Sequence, residues 1–432
     1  MTQGDGSSCN CSCAARLEDA MARLAAMEER LATMEKSGSG SGSDVTKPKA
    51  IAPPFTSATS VLESLPTGGV PATELPLAST RVVMQQLCFP ADCGKSGVCF
   101  GGTVLSWVDI CAGLASKVVA RGPCVTASVD SVHFLKPVMV NSIVIVEAMV
   151  TCTFSSSMEI SVSVLEESPV TGERSKCCHA YLTFVALKSL KKPDNPNPKL
   201  LPTILATNAD EEAVIAGAAR RREQRLAKRA EAKKNPRPDT SLKPLTHFSR
   251  EMVVPDTTVM RKEASAKGSS QSMDPKISLS HLTHVVMPQN ANVLGITFGG
   301  QVLSWVEQAA YLSATRLNVS GHMLTVAMDA VSFKEPTKVG DILYFTAVVT
   351  AVFKSSVEVM VSVFGEHPFE DDKDPFFVLD AFVTFVSVDD SVAPQTLQFE
   401  LKPASEHEVQ RMEDAKQRRQ ERLELRQGAL TM

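Results

Sequence analysis

The chain repeats itself, and this repeat limits its fold more than any other feature of the sequence. The nine residues 100–108, FGGTVLSWV, return at 298–306 as FGGQVLSWV. Residues 126–137 return at 325–336, and residues 154–159 at 353–358, so the offset stays at 198 or 199 residues. Matching blocks in one order at a nearly constant offset indicate a duplicated domain.

Each copy has the pattern of a buried helix followed by strands. Residues 103–117 are apolar on nearly all sides at helical spacing, which is typical of a helix inside a core. Three later runs, 142–154, 158–166 and 175–187, are rich in β-branched residues and are predicted to be strands. One buried helix with antiparallel strands predicts an α+β fold in which the sheet wraps the helix.

Composition shifts divide the chain into five parts. The predicted boundaries are an N-terminal tail at 1–43, the first copy at 75–190, a charged linker with a helix at 191–276, the second copy at 277–390 and a charged C-terminal helix at 391–432.

The N-terminal tail carries an a/d heptad seam between Leu17 and Met34, followed by a Gly/Ser run at 37–43. This predicts a short coiled coil and a flexible tether. Three heptads are marginal alone, so we expect the helix to associate only where the folded domains already bring chains together. Cys9, Cys11 and Cys13 either bind a metal or a lipid, or belong to a flexible tail.

Composition also narrows the class of protein. A net charge of -4, with 21% charged and 44% hydrophobic residues, is typical of a soluble globular protein and offers no basic surface for nucleic acid. No stretch approaches the roughly 20 apolar residues of a membrane span, and no leader peptide is evident. All eleven cysteines precede residue 180, so the shared fold cannot depend on disulfides. This predicts reduced thiols and a cytoplasmic location.

A carboxylate follows each glycine pair at the same spacing inside the apolar helix. Asp109 comes seven residues after Gly102, and Glu307 comes seven after Gly300. A buried carboxylate is costly unless it is paired or used. The glycine N–H groups at the start of each helix could bind a developing oxyanion. The alternative is that the glycines serve close packing only.

The turn upstream of the helix differs between the copies. When the two turns are aligned on their proline and glycine, Gly94 of the first copy corresponds to Asn292 of the second. Only the second copy therefore has a side-chain amide at this position. Seven residues of helix rise put Asp109 about 10 Å from the start of its own helix. This distance is long for attack on a carbonyl bound there, whereas a partner helix could bring the two together.

Both copies resemble the hot-dog domains of acyl-CoA thioesterases that carry two such domains in tandem, the group of the cytosolic acetyl-CoA hydrolases and brown-fat-inducible thioesterases. The motifs that carry the resemblance are PQNANVLGITFGGQ at 288–301, LSWVE at 303–307, VTASVD at 125–130 and FSSSMEI at 154–160. It covers roughly residues 80–188 and 280–390 and the Arg-rich linker. The START domain of those relatives is expected to be missing, because the chain ends at Met432.

The resemblance implies hydrolysis of acyl-CoA, with coenzyme A as part of the substrate and no metal or other cofactor. It implies a homo-oligomer, commonly of three chains. The family's catalytic amide and carboxylate fall on Asn292 and Asp109, and the thioester carbonyl is expected at the N–H groups of Gly299 and Gly300. Asp109 would act as a general base, or as a nucleophile that forms an anhydride.

The reciprocal pair, Gly94 and Glu307, has no amide, which predicts one working site and one degenerate site per chain. A hot-dog hydratase or dehydratase is a rival interpretation, but such enzymes use a histidine where this chain has Phe100 and Phe298. A non-catalytic acyl-CoA sensor or scaffold is the second rival.

Contacts to coenzyme A are also implied by the resemblance. In the first copy they fall on Ala127, Ser128, Val129, Ser156, Ser157, Met158 and the linker residue Arg222. In the second copy they fall on Val326, Ala327, Met328, Ser355, Ser356 and Val357.

Overall fold

The computed structural model describes residues 73–187, 201–234, 241–243, 271–317, 321–368 and 375–430. The predicted coiled coil, the Gly/Ser tether and the three N-terminal cysteines lie outside these residues.

Both copies have the same succession of elements. The first copy contains β1 (Glu74–Pro76), β2 (Val82–Leu87), α1 (Gly101–Ala120), β3 (Cys124–Val129), β4 (Val132–Phe134), β5 (Ile143–Thr153), β6 (Ser157–Glu167) and β7 (Arg174–Ala186). The linker adds β8 (Thr203–Leu205) and α2 (Ala209–Lys234). The second copy contains β9 (Gln271–Met273), β10 (Ser280–Val285), α3 (Gly299–Leu317), β11 (His322–Met328), β12 (Val331–Ser332), β13 (Ile342–Val352), β14 (Ser356–Glu366) and β15 (Phe376–Val388), followed by β16 (Phe399–Leu401) and α4 (Glu406–Leu430). The three strands predicted in the first copy are confirmed, with each end within one residue.

The two copies share one 12-stranded sheet. Its strand order is β10-β13-β14-β15-β11-β4-β7-β6-β5-β2, and β3 and β12 pair with each other beside this path. The copies meet where β4 pairs with β11 and β3 pairs with β12, both antiparallel. The sheet encloses α1 and α3, which pack against each other and against the long strands. The predicted α+β architecture is confirmed.

Helix α1 is apolar because it lies in the core. It is 20 residues long and has a mean hydropathy of 1.4 over an 18-residue window, so by length and composition it could span a membrane. The expectation that no stretch comes near this limit is therefore wrong. Twelve of its residues are buried, and one of them is Asp109. Helix α1 packs on β5 and β6 and against α3, and this burial accounts for its composition.

Helix α2 is fastened to the first copy by a buried ion-pair cluster. Arg221 and Arg225 both bind the fully buried Glu159 carboxylate, at 2.6 and 2.7 Å. Arg225 also binds Asp130 at 2.8 Å, and the Arg221 guanidinium stacks 3.7 Å from the Tyr181 ring centre. Arg221 and Arg225 thus hold the helix in place.

Helix α4 does the same in the second copy, which shows that the repeat extends beyond the hot-dog domains. Arg418 and Arg422 bind the buried Glu358 at 2.7 Å each, and Arg422 binds Asp329 at 2.7 Å. The signal in the sequence is the shared spacing RRxxRL, at 221–226 and at 418–423. Each copy therefore consists of a hot-dog domain and the helix that follows it.

Replacing Glu159 with alanine should destabilise the chain strongly. Two guanidinium groups would lose their buried partner, and removing one member of a buried ion pair typically costs about 3–5 kcal/mol of unfolding free energy. Urea denaturation would measure this. The control is Lys228→Ala on the exposed face of α2, where we expect a change within about 0.5 kcal/mol. A similar small change for both variants would contradict a stabilising role for the cluster.

Candidate active site

The glycine pairs lie where α1 and α3 cross, in antiparallel sense, near their N-terminal ends. A Cβ atom on Gly102 would lie 2.8 Å from the Cα of Ser304, and one on Gly300 would lie 2.8 Å from the Cα of Ser106. Real Cβ atoms do not approach backbone so closely, so glycine is required at these positions. Close packing thus explains the glycines, and it also brings a carboxylate of each helix to the start of the other.

The Asp109 carboxylate of the first copy meets the start of α3 in the second. Its Oδ2 accepts a hydrogen bond from the Gly300 N–H at 2.9 Å, and its Oδ1 accepts one from the Thr126 hydroxyl at 2.7 Å. Burial raises the pKa of Asp109 above its ordinary value, although the bonds from Thr126 and Gly300 lower it. A carboxylate with a raised pKa is a stronger base, which suits it to proton transfer.

The Gly300 N–H is therefore not free to bind a substrate. The expectation that both glycine N–H groups hold the carbonyl is corrected here, because Asp109 takes one of the two. The Gly299 N–H has no hydrogen-bond acceptor among the residues that the structure describes. Of the two expected donors, Gly299 remains for the carbonyl oxygen.

Glu307 occupies the equivalent position in the second copy and makes different contacts. Its Oε1 accepts from the Gly101 N–H at 2.8 Å and its Oε2 from the Gly102 N–H at 2.7 Å. The Thr325 hydroxyl also donates to Oε1. Burial raises the pKa of Glu307, against the lowering effect of these bonds. The longer Glu307 side chain thus caps both glycine N–H groups at the start of α1, whereas the shorter Asp109 side chain caps only one at the start of α3.

Asn292 and Gly94 lie in equivalent turns. The Asn292 N–H donates to the Ile296 carbonyl at 2.8 Å, as the Gly94 N–H donates to the Val98 carbonyl at 2.9 Å. The side-chain Oδ1 of Asn292 accepts from the backbone N–H groups of Leu294 and Ile296, at 2.9 and 3.2 Å. These bonds orient the amide, and its Nδ2 has no acceptor within the described part of the chain. Asn292 therefore offers a fixed donor that Gly94 cannot supply.

A cavity of about 520 Å³ lies where these groups meet, and we call it the first cavity. Asp109, Asn292 and Gly299 line it together. Apolar residues form much of the remaining wall: Ile110, Gly113, Leu114, Val125, Phe184 and Phe333. Lys117 and Lys334 supply positive charge. The structure thus brings a buried carboxylate, an oriented amide and a free backbone N–H to one cavity with a largely apolar wall.

The residues expected to contact coenzyme A lie in different parts of the structure. Ala127 lines the first cavity. A second cavity, of about 430 Å³, is lined by Val326, Ala327, Ser355 and Ser356. Five of the expected residues have side chains that are at most 4% exposed: Val129, Met158, Ala327, Met328 and Val357. Their contact with coenzyme A stays a prediction. Ser128 is also buried, and Ser156 and Ser157 are not among the residues that line the first cavity.

Arg222 lies outside the wall of the first cavity as well. Its guanidinium stacks 3.7 Å from the ring centre of Phe154, next to the Ser-Ser turn. Its contact with coenzyme A stays a prediction.

Thr126 and Thr325 are absent from the predicted site residues, although each donates to the carboxylate of its own copy. The signal was available, because each threonine opens the second repeated block of its copy. A hydroxyl that bonds to a carboxylate 17 or 18 residues earlier becomes evident only when β3 and β11 are placed beside the helices.

Comparison with known proteins agrees with the duplicated architecture. Residues 96–173 and 294–368 both match the model of the Thioesterase superfamily. Acyl-coenzyme A thioesterase 11 of Mus musculus is 31% identical over 80% of this chain and 53% of its own length. Acetyl-coenzyme A thioesterase of Mus musculus is 33% identical over 66% of this chain and 47% of its own length. The chain thus spans about half the length of these curated relatives.

A bacterial relative is covered more fully. A Bacillus subtilis protein, named uncharacterized acyl-CoA thioester hydrolase YkhA, is 41% identical over 28% of this chain and 71% of its own length. Two separate segments match one family model, and this chain covers most of the length of the Bacillus subtilis relative. The chain therefore belongs to the thioesterase superfamily.

Proposed function

We propose that the chain hydrolyses acyl-CoA thioesters to a free carboxylic acid and coenzyme A in the first cavity. One observation carries the proposal: Asp109 of one copy lies in the same cavity as the Asn292 amide and the open Gly299 N–H of the other. A carboxylate for proton transfer and donors for an oxyanion are the groups that acyl transfer to water requires. The names of the two mouse relatives, an acyl-CoA and an acetyl-CoA thioesterase, support the same substrate class.

In the proposed mechanism the thioester carbonyl oxygen binds the Gly299 N–H and the Asn292 Nδ2. Asp109 removes a proton from a water molecule, whose oxygen attacks the carbonyl carbon. The two donors stabilise the negative charge of the tetrahedral intermediate. Collapse breaks the carbon–sulfur bond, and the protonated Asp109 returns its proton to the leaving thiolate. The products are the carboxylic acid and coenzyme A thiol.

The contacts of Asp109 favour the base over the nucleophile. Both carboxylate oxygens already accept a hydrogen bond, from Thr126 and from Gly300. These donors hold the carboxylate at the start of α3, and a direct attack would have to move one of its oxygens onto the carbonyl carbon. Proton transfer from a water molecule needs only a second lone pair on one of the oxygens.

The proposal is tested by following thiol release from acyl-CoA with a chromogenic disulfide reagent. We expect release above the uncatalysed rate for at least one member of a series from acetyl-CoA to long-chain acyl-CoA. Binding of every member without thiol release would contradict hydrolysis and favour the sensor interpretation. The chain-length profile would also show how much of the apolar wall around Gly113 and Phe184 the acyl group uses.

Replacing Thr126 with valine should move the acid limb of the pH–rate profile to higher pH. The Thr126 hydroxyl donates to the ionised form of Asp109 and so lowers its pKa. Without this donor the pKa rises further, and a higher pH is needed to ionise the base. The control is Thr325→Val, which alters the Glu307 site and should leave the limb in place. Profiles of kcat/KM against pH that coincide for wild type and Thr126→Val would argue against Asp109 as the base.

The proposal includes a cytoplasmic location and a role in lipid metabolism. Mouse, rat and human relatives named cytosolic acyl coenzyme A thioester hydrolase are 25–26% identical over 78–80% of this chain and support the location. Homo-oligomerisation stays a prediction, and light scattering of the full chain would test it.

A further inference from the structure

The part of the second copy that corresponds to the first cavity is closed. Val125 and Phe298 line the first cavity, and their counterparts in the repeat, Leu324 and Phe100, line a void of only about 10 Å³. The first cavity has a volume of about 520 Å³, whereas the void offers about the space of one water molecule. Equivalent walls therefore enclose an open cavity in one copy and almost no space in the other.

Tyr311 occupies the space that is open in the first copy. It stands 198 residues after Gly113, which lines the first cavity together with Phe184. The Tyr311 ring packs edge-on against Phe100 and Phe385, with distances of 5.7 and 6.2 Å between ring centres. The volume of the first cavity therefore depends on the lack of a side chain at Gly113.

Close packing does not explain Gly113, in contrast to the glycines at the helix starts. Among the residues that the structure describes, a Cβ atom at this position would meet only the Cε1 atom of Phe184 beyond its own helix, at 3.9 Å. This is an ordinary contact, so the backbone does not require glycine here. Glycine is the least favourable residue inside a helix after proline. What Gly113 provides in return is the space that it leaves in the first cavity.

One face of α1 lines the first cavity with apolar groups. Ile110, Gly113 and Leu114 follow Asp109 on this face, and Lys117 ends it. These positions are one, four, five and eight residues after Asp109, the spacing of a single helix face. Ile110 and Leu114 are 40% and 43% exposed although they belong to a core helix. The face therefore offers an apolar surface that begins at the proposed catalytic carboxylate.

The second copy does not keep this apolar surface. The counterpart of Ile110 is Gln308, which is exposed and lines neither cavity. Leu114 does not distinguish the copies, because its counterpart Leu312 is also apolar and 42% exposed. At position 110, however, a large apolar side chain is exposed only in the copy where a cavity lies beside it. This is typical of a wall that an apolar ligand covers.

The length of this face sets the length of chain that it can cover. Eight residues separate Asp109 from Lys117, which corresponds to a rise of about 12 Å. An extended hydrocarbon chain with bonds of about 1.5 Å advances about 1.25 Å per carbon. The face therefore matches a chain of roughly ten carbons, and Gly113, halfway along it, lies beside roughly the fifth.

We propose that the acyl group of the substrate lies along α1 from Asp109 towards Lys117, and that Gly113 makes the first cavity a site for medium-chain acyl groups of up to roughly ten carbons. The inference rests on the proposed function, because it places the thioester carbonyl beside Asp109. It adds the class of substrate. With a tyrosine at position 113, as the second copy has in Tyr311, only acyl groups of up to roughly five carbons would fit.

Calorimetric titration of the full chain with S-alkyl thioethers of coenzyme A, from ethyl to tetradecyl, tests this without turnover. In the wild type we expect the Kd to fall about threefold for each added methylene group, up to roughly ten carbons, and then to level off. In Gly113→Tyr the fall should stop at roughly five carbons, and the ethyl thioether should bind as before because its chain ends before position 113. A wild-type Kd that does not improve beyond five carbons, or a gain up to ten carbons that Gly113→Tyr retains, would overturn the proposal.

Ile110→Gln is a second variant, which copies Gln308 and does not endanger the fold because the side chain is 40% exposed. It should reduce the gain per methylene group. The matched control is Gln308→Ile, the reverse exchange on α3 outside both cavities, which should leave the series unchanged. An equal change in both variants, or in neither, would contradict an acyl site on this face of α1.

Thiol release from acyl-CoA reports separately on the proposed function. A gain in affinity with chain length but no thiol release would leave the acyl site in place and contradict hydrolysis. Hydrolysis without such a gain would contradict the acyl site alone.

Discussion

Replacing Asp109 with asparagine should lower kcat by about 10²–10⁴-fold, the usual contribution of a positioned acid or base. The substitution keeps the size of the side chain and one oxygen that can accept a hydrogen bond from Gly300 or Thr126. It removes the charge and the ability to take a proton from water. Steady-state thiol release with the best substrate of the chain-length series would measure the loss.

The matched change is Glu307→Gln, which removes a buried carboxylate at the equivalent position of α3. Glu307 caps Gly101 and Gly102 and lines neither cavity. We expect kcat to stay within about threefold of the wild type, with a lower melting temperature because a buried charge-assisted contact is weakened. Similar losses of kcat in the two variants would mean that the two sites contribute equally, and would refute the single-site proposal.

Much of the fold could be predicted from the sequence, because the patterns that specify it are local. An apolar stretch at helical spacing identified α1, and β-branched runs bounded by turn residues identified β5, β6 and β7 to within one residue at each end. The arrangement of Asp109 against the second copy was implied by the family resemblance, and the rise of seven helical residues supported it.

The occupancy of the glycine N–H groups could not be predicted in this way. It depends on the one methylene group by which glutamate is longer than aspartate. The side chain concerned lies about 200 positions away in the sequence, on the opposite helix. Tyr311 stands in the second copy where the first has Gly113, but the packing of its ring against Phe100 and Phe385 becomes evident only in the folded chain. The arginines of α2 and α4 share a spacing in the sequence, but their binding of Glu159 and Glu358 becomes evident only in the folded chain.

Replacing Asp109 with glutamate should inactivate the first site although the carboxylate is kept. The second copy shows where the longer side chain goes: Glu307 spans both N–H groups of its glycine pair. A glutamate at position 109 would cap Gly299 as well as Gly300 and so remove the free donor of the oxyanion. Loss of one such donor typically costs about 10²–10³ in kcat.

The control for Asp109→Glu is the reciprocal change, Glu307→Asp. It shortens the carboxylate side chain at the equivalent position of the site that lacks an amide. It should free the Gly101 N–H and leave kcat unchanged, since Gly94 still offers no donor. Comparison of kcat for the two variants, with thermal unfolding to verify the fold, separates an effect on the oxyanion donor from a general effect of helix packing. If Asp109→Glu retained more than about a tenth of the wild-type kcat, Gly299 could not be the donor that the hydrolysis depends on.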